Sequence, residues 1–457
     1  MSERLCSLGL DVGTTTTQLV LSELTVENQA GAFAAPDMQI TDRKILYKSP
    51  VYFTPLLDES HVDGTAIAAL VEREYENAGI CRQQVHTGAI IITGESSRKE
   101  NARVVLQELS GFAGDFVVAT AGPDLESILA AKGAGAVAYS ERTGKTVLHM
   151  DIGGGTSNLA LIKEGKIIAT GCMNVGGRLI KRSKTGVITY VSPVLRGLTQ
   201  LQPGDYPAQG QIEAIAAILT QGLEMAAGLR PETELMDRLM TREVARSWQI
   251  PNPDVISFSG GIADCIHENK APLSFGDMGP ELGKAIRESR LCQGVYVLGR
   301  ETIRATVIGA GSHSTQLSGS TVYYQGVQLP LKNLPVAKLD EKEQLDPDRI
   351  RMRVKQKDAA AVVLAIPGFS GCGYGQVRKL AQAVYTALAD APVYICLEQD
   401  MAKALGQALC LLRRKNAPCL CIDRLHLEED SFLDIGMPIG PALPVVIKTL
   451  VFDGHQS

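Results

Sequence analysis

Asp11-Val12-Gly13-Thr14-Thr15-Thr16 and Asp151-Ile152-Gly153-Gly154-Gly155-Thr156 place one combination, a carboxylate followed by glycines and hydroxyls, at two points 140 residues apart. Glycines admit backbone conformations with positive φ and let an anion approach the amide hydrogens without meeting a Cβ. An aspartate at the edge of such a turn adds a hard oxygen of the kind that holds Mg²⁺ through one or two carboxylates and several waters. The chemistry these residues suit is phosphate binding, and two such turns facing each other could clamp the β- and γ-phosphates of a nucleotide. Ser259-Gly260-Gly261-Ile262-Ala263-Asp264 follows the apolar run Val255 to Phe258 and has the form of a strand-to-helix turn able to cradle an adenosine.

The elements that must position these residues repeat as well. Superposing the two segments keeps Asp11 on Asp151, Gly13 on Gly153, Thr16 on Thr156, Leu19 on Leu159 and Leu21 on Leu161, which reads as internal duplication of one unit. Leu5 to Leu10 and Thr17 to Leu21 flank the first copy, and Val147 to Met150 and Leu159 to Ile162 the second, so each predicts strand, tight turn, strand. Residues 196–246 predict mostly helix, and 27–57 an insertion decorating the first copy. Beyond a charged, proline-punctuated stretch, Leu331 to Arg353, strand and helix alternate: Ala360 to Ile366, Gln376 to Leu388, Val393 to Leu397, Met401 to Arg413, Cys419 to Ile422 and Val445 to Phe452. That alternation predicts a small α/β domain.

The three motifs, in this order, resemble those of the actin-like ATPase superfamily, which includes Hsp70 chaperones, sugar kinases and bacterial cell-division ATPases. Asp11 to Thr17 is similar to the first phosphate motif, Asp151 to Ser157 to the second and Ser259 to Asp264 to the adenosine motif. The Ala- and Gly-rich segments Asp124 to Tyr139 and Glu301 to Ser314 resemble the two linking helices, and Gly176-Gly177 a turn found downstream of the second phosphate motif. The likeness spans residues 5 to about 318. It implies an α/β fold of duplicated actin-like, ribonuclease H-like halves around a nucleotide cleft, residues 1–140 and 141–318, with a further α/β domain at 319–457. It also implies Mg²⁺ on Asp11 and Asp151, directly or through water. Phosphates would lie on Gly13, Thr14, Thr15, Thr16, Gly153, Gly154, Gly155 and Thr156, and nucleotide also on Gly176, Gly177, Gly260 and Gly261. A water-orienting acid belongs near the first linking helix, where Asp124 and Glu126 are candidates; each reads equally well as an acid favoured by the helix dipole. Laying Ala134 to Ala138 on the chaperone helix puts Ala131 at the position of that acid, which implies slow turnover suited to a switch.

Within the superfamily the whole chain most resembles the reactivating factors of ethanolamine ammonia-lyase, on Leu8 to Gln18, Lys48 to Leu56 and His149 to Asn158. The middle stretch has no chemical account from sequence. The resemblance implies ATP-dependent, chaperone-like exchange of damaged cobalamin for adenosylcobalamin on the partner lyase, and cytoplasmic work inside a bacterial microcompartment. An actin-like small-molecule kinase and a polymerising scaffold ATPase are the alternatives, and homo-oligomerisation stays open.

Composition fits this reading. At 457 residues and 45% hydrophobic content the chain can bury two or three cores. The net charge of −5, spread along the chain, gives no reason to expect nucleic acid or an anionic membrane as partner. No apolar run approaches a membrane span of about 20 residues, and the first strand begins too near Met1 for a signal peptide, so cytoplasmic synthesis is expected. Ten scattered cysteines contain no Cys-x-x-Cys pair and read as small buried hydrophobes, with Cys419 and Cys421 on one strand face. Gly144-Lys145-Thr146 fails as a P-loop because Tyr139 stands where its first glycine belongs, and Gly371-Cys372-Gly373-Tyr374-Gly375 has the wrong spacing for a dinucleotide turn.

Overall fold

A computed structural model describes residues 3–13, 16–30, 38–58, 61–93, 101, 104–105, 109, 123–208, 210–241, 248, 252–272, 274–299, 301–313, 315–318, 321–357, 359, 361–371, 373–414, 417–429 and 431–449. Thr14, Thr15, Cys372 and Ser314 lie outside them.

The first sheet holds β1 (Glu3–Val12), β2 (Thr16–Asn28), β3 (Met38–Lys48), the two-residue β4 (Tyr52–Phe53) and β5 (Thr87–Ile92), in the order β3-β2-β1-β5 with β4 paired to β2. The second holds β6 (Val147–Ile152), β7 (Ser157–Lys163), β8 (Lys166–Met173), β11 (Val255–Ser259) and β12 (Tyr296–Leu298), in the order β8-β7-β6-β11-β12. Between them in sequence, β9 (Ile180–Arg182) and β10 (Ile188–Val191) form a separate pair. Both main sheets have two antiparallel pairings on one side of the founding strand and a parallel one on the other, β1 with β5 and β6 with β11. The duplication visible in the motifs is therefore a duplication of whole ribonuclease H-like sheets. Every residue of β5 and β6 is buried, as strands covered on both faces require.

The helices are α1 (Gly64–Ala78), α2 (Pro123–Gly133), α3 (Ala136–Thr143), α4 (Gln211–Ala226), α5 (Glu234–Leu239), α6 (Gly261–His267), α7 (Gly279–Glu288), α8 (Ala305–His313), α9 (Pro347–Gln356), α10 (Tyr374–Leu388) and α11 (Ala402–Leu412). Helix α1 starts where the Asp63 carboxylate accepts from the Ala66 amide and stops at left-handed Gly79. Its Ile67, Leu70 and Val71 repeat at helical spacing and are buried. Helix α2 packs on the second sheet and α8 on the first. The two helices touch backbone to backbone: a Cβ on Gly133 would lie 1.8 Å from the Ala305 carbonyl oxygen, and one on Gly309 2.0 Å from that of Leu129.

Three expectations need correction. The helix expected over Asp124 to Tyr139 is two helices, because Gly135 adopts φ +81° and turns the chain between α2 and α3. The helix expected from Glu301 begins only at Ala305. Residues 27–57 are no decoration: they supply β3, the counterpart of β8, whose outward residues are polar because only one face meets the core.

The third sheet contains β13 (Thr315–Leu317), β14 (Tyr323–Gln325), β15 (Leu331–Lys338), β16 (Val363–Ile366), β17 (Val393–Leu397), β18 (Cys419–Ile422), β19 (Ser431–Ile435) and β20 (Pro444–Thr449), in the order β13-β20-β19-β15-β16-β17-β18-β14. Strands β15 to β18 run parallel, with α9 to α11 as crossovers. The proline-punctuated stretch thus conceals a central strand, in which Pro335 sits in the irregular pairing with β19. Cys419 and Cys421 do share a face, packed against the helices, while Leu420 and Ile422 face the other side. Leu5, Leu24, Val26 and Met38 of the first sheet form one cluster with Ile439 and Ala442 beside the third.

Candidate functional site

The two glycine-bearing hairpins close in the same way. The Gly13 amide donates to the Thr16 carbonyl at 2.9 Å, and the Gly153 amide to the Thr156 carbonyl at 2.9 Å. In register across the hairpins, Asp11 stands opposite Gln18 and Asp151 opposite Asn158. Asp11 and Asp151 are 7% and 8% exposed, so each carboxyl sits at a strand end almost out of water.

Each aspartate is held by hydroxyls. Thr93 Oγ1 donates to Asp11 Oδ1 at 2.9 Å, and the Thr93 amide continues the β5 pairing by bonding to the Val12 carbonyl. On the other side Ser259 donates to Asp151 Oδ1, and Thr306 on α8 donates to Oδ2 at 3.3 Å. Behind Ser259 lies His149, fully buried, with Nε2 3.0 Å from Ser259 Oγ and Nδ1 3.0 Å from Ser257 Oγ. Since Ser259 gives its proton to Asp151, it accepts from His149, which fixes the proton on Nε2. Burial pushes His149 down to about 3, so the ring is neutral.

Glu126, on the first turn of α2, completes the set. Burial and then the charges of Asp11 and Asp151 push it up to about 8, against hydrogen bonding by Asn158 and, less, by the Thr93 hydroxyl, whose one proton Asp11 competes for. Burial likewise raises Asp11 to about 7, with the Thr93 bond opposing and the charge of Asp151 adding. Burial raises Asp151 also, while its two hydroxyl donors pull the other way. Three carboxyls from three elements therefore lie within electrostatic reach of one another. Ala131, five residues further along α2, is buried in an apolar cluster with Ala136 and Val147. Of the side chain of Asp124, also on α2, the description extends no further than its backbone.

The glycines divide into two kinds. Around Gly155 and Gly261 an added Cβ would meet nothing within 4 Å, so these positions border open space. Gly176 and Gly260 are glycine because backbone packs on them, a Cβ falling 2.3 Å from the Gly154 oxygen and 2.3 Å from the Ile152 oxygen; at Gly177 a Cβ would fall 2.6 Å from the Ile262 Cδ1 methyl and 3.0 Å from the Gly279 Cα. The Gly177 amide donates to the Gly153 carbonyl at 3.1 Å, so the Gly176-Gly177 turn buttresses the second hairpin, and its amide at 177 is taken. Gly260 has φ +83° and lets α6 start directly against the end of β6.

Sequence reasoning missed Thr93, Thr306 and His149. Thr93 is 82 positions from Asp11 and meets it only through parallel strand pairing. The unexplained stretch Lys48 to Leu56 also acquires an account. Thr54 Oγ1 donates to the Gly13 carbonyl at 2.7 Å, Tyr52 donates to buried Glu74 at 2.7 Å, Lys48 pairs with Glu301, and the Ser49 carbonyl accepts from Arg304 at 2.9 Å. It props the first hairpin and reaches the approach to α8.

A family model described as "Ethanolamine utilisation protein EutA" matches residues 3–453. The curated "Ethanolamine ammonia-lyase reactivase EutA" of Salmonella typhimurium (strain LT2) is 37% identical over 482 residues, 99% of either chain, and its Escherichia coli (strain K12) namesake 36% identical over 477 residues, again 99% of either. Among solved structures, a Ppx/GppA family member of Aquifex aeolicus aligns at 12% identity and TM-score 0.41, covering 67% of this chain and 97% of its own.

Proposed function

The chain belongs to the EutA family of ethanolamine utilisation proteins, whose curated members are ethanolamine ammonia-lyase reactivases, and we propose that it performs that reactivation by binding Mg²⁺ and ATP in the cleft between its halves. Nucleotide binding would drive exchange of damaged cobalamin on the lyase for intact adenosylcobalamin. The observation that carries the reading is the meeting of Asp11, Asp151 and Glu126 at the mouths of two equivalent hairpins.

The residues fit Mg²⁺. Burial raises all three carboxyls, and the charge of Asp151 adds to the rise of Asp11 and both aspartates to that of Glu126, a set that a cation relieves; buried Gln18 Oε1 and Asn158 Oδ1, opposite the two aspartates, have no hydrogen-bond partner. Among the described residues no three acidic, His or Cys side chains form a ready metal cage, which suits an ion held by one or two carboxylates with water and phosphate oxygens supplying the rest. Bound there, Mg²⁺ neutralises phosphate charge for in-line transfer.

The protein's own groups do the positioning. Thr93 aims Asp11, and Ser259 and Thr306 aim Asp151. Gly155 leaves room for a phosphate against the second hairpin and Gly261 for the adenosine against α6. Glu126 would orient the attacking water, its carboxyl steadied by Asn158 and Thr93. Because Thr306 belongs to α8, a nucleotide drawing Asp151 toward it would act on the helix that packs on the opposite sheet. Only tighter binding to one disposition of the halves can turn that into movement. In this reading residues 1–140 and 141–318 are the halves that move, and the protein works in the cytoplasm with the lyase inside a microcompartment. Among the described residues no helix is long and apolar enough to cross a membrane.

The test is return of activity to cyanocobalamin-blocked ethanolamine ammonia-lyase on adding this protein, Mg²⁺ and adenosylcobalamin, with and without ATP. Recovery should need ATP and fall at least about a hundredfold in Asp11→Asn and Asp151→Asn, the size of effect expected on removing a group that stabilises transferring charge. Full recovery by either folded variant sinks the ATP role.

A further inference from the structure

The three acids explain a cation but leave an anion poorly served, since a Mg²⁺-bound triphosphate is still negative and faces carboxyls on three sides. Arg178 lies beside this problem. It follows the Gly176-Gly177 turn directly; its amide donates to the Gly154 carbonyl at 2.6 Å, and a Cβ on Gly154 would sit 3.1 Å from Arg178 Cδ. The arginine stem therefore rests on the tip of the second hairpin.

Two arginines of this region reach the loop before α7, and they differ. Arg182 is engaged through one nitrogen, Nη2, at 2.6 Å from Glu281 Oε1 and 2.8 Å from the Asp277 carbonyl, with its side chain 7% exposed and its Nε buried without a hydrogen-bond partner. Arg178 has one ion pair, Nε to Asp277 Oδ2 at 3.3 Å, and its side chain stays 24% exposed. Asp277 is itself fixed by the Gly279 amide at 2.9 Å on its other oxygen. Arg182 thus already ties the loop to the separate β9–β10 pair. Arg178 spends only Nε on its ion pair and stays partly exposed beside the hairpin tip on which its stem rests, and a planar guanidinium can engage phosphate oxygens in pairs.

We propose that Arg178 is the cation that engages the nucleotide phosphates at the second hairpin, with Asp277 as the positioning residue that holds it ready. The proposal rests on the reading of the cleft as a nucleotide site and adds the residue that favours polyphosphate over adenosine alone.

Calorimetric titration of the full-length protein with Mg·ATP, Mg·ADP and adenosine tests it, in the wild type, Arg178→Ala and Arg178→Lys, with circular dichroism to confirm the fold of each. Arg178→Ala should weaken Mg·ATP about ten- to a hundredfold, as loss of a charge-assisted contact does, leave adenosine within about twofold, and be partly rescued in Arg178→Lys. Should Arg178→Ala be unstable, the lysine variant carries the test through its ratio of ATP to adenosine affinity. An unchanged ratio, or equal weakening of all three ligands, overturns the assignment while the nucleotide site stands. Absence of Mg·ATP binding by the wild type overturns both.

Discussion

Glu126 and Asp11 carry the plainest pH signature of the molecule. Their folded values, raised to about 8 and about 7, lie above those of the unfolded chain, so ionising them disfavours the fold. Their contribution is harmless below about pH 4, where both states are protonated, and erodes stability as pH rises from about 4 until the folded groups themselves ionise at about 7 and 8, above which the loss is complete. His149, lowered to about 3, works in the opposite direction and erodes stability as pH falls below about 6.5. Urea midpoints measured from pH 4 to 9 should therefore fall up to about pH 8 and level off above it, the fall being smaller in Glu126→Gln, and Mg²⁺ should restore most of the loss; an identical fall in that variant would remove Glu126 from the cluster. Gly155 offers a separate prediction. An alanine there meets nothing, so Gly155→Ala should keep Tm within the change of about 0.5 kcal/mol typical of neutral surface changes yet weaken Mg·ATP severalfold. Unaltered affinity would mean that no phosphate reaches that face. The aspartates and glycines were readable because spacing and repetition mark them. Thr93 and Thr306 were not, since a single hydroxyl gains meaning only from the strand or helix that delivers it.

The decisive contact between elements is the crossing of α2 and α8. Gly133 and Gly309 have no room for a methyl group, and backbone carbonyls cannot swing aside as a side chain can. Gly133→Ala or Gly309→Ala should cost about 3 kcal/mol, the upper end of ordinary overpacking, read as a drop in Tm. A drop in ATP affinity at unchanged Tm would instead show that the helices separate easily. The alanine and glycine content of both segments announced close approach. Their lengths did not follow, because Gly135 breaks the first, and the second starts only after residues 301–304 have met Lys48, Ser49 and Gly260. β3 and β15 were hidden for a related reason: one is mostly polar on its outer face and the other contains Pro335, so neither shows the alternation that identifies a half-buried strand.

At the scale of the whole molecule, the attachments of the three sheets are unequal. The first and third share an apolar cluster of Leu5, Leu24, Val26, Met38, Ile439 and Ala442, whereas the second meets the first mainly through α2, α8 and the hydroxyls around the cleft. Hydrogen exchange with and without Mg·ATP should show added protection at the two hairpins and the α2–α8 crossing, and no change in β1, β2 or β3 where they meet the third sheet. Equal protection everywhere would argue for general tightening rather than closure. That asymmetry has a mechanical consequence. On the proposed nucleotide-driven closure, the first and third sheets together would make a stator and the second sheet a rotor, with the crossed glycines as the bearing. A client enzyme gripped across the two would be twisted, while one gripped by the stator alone would feel nothing of the nucleotide.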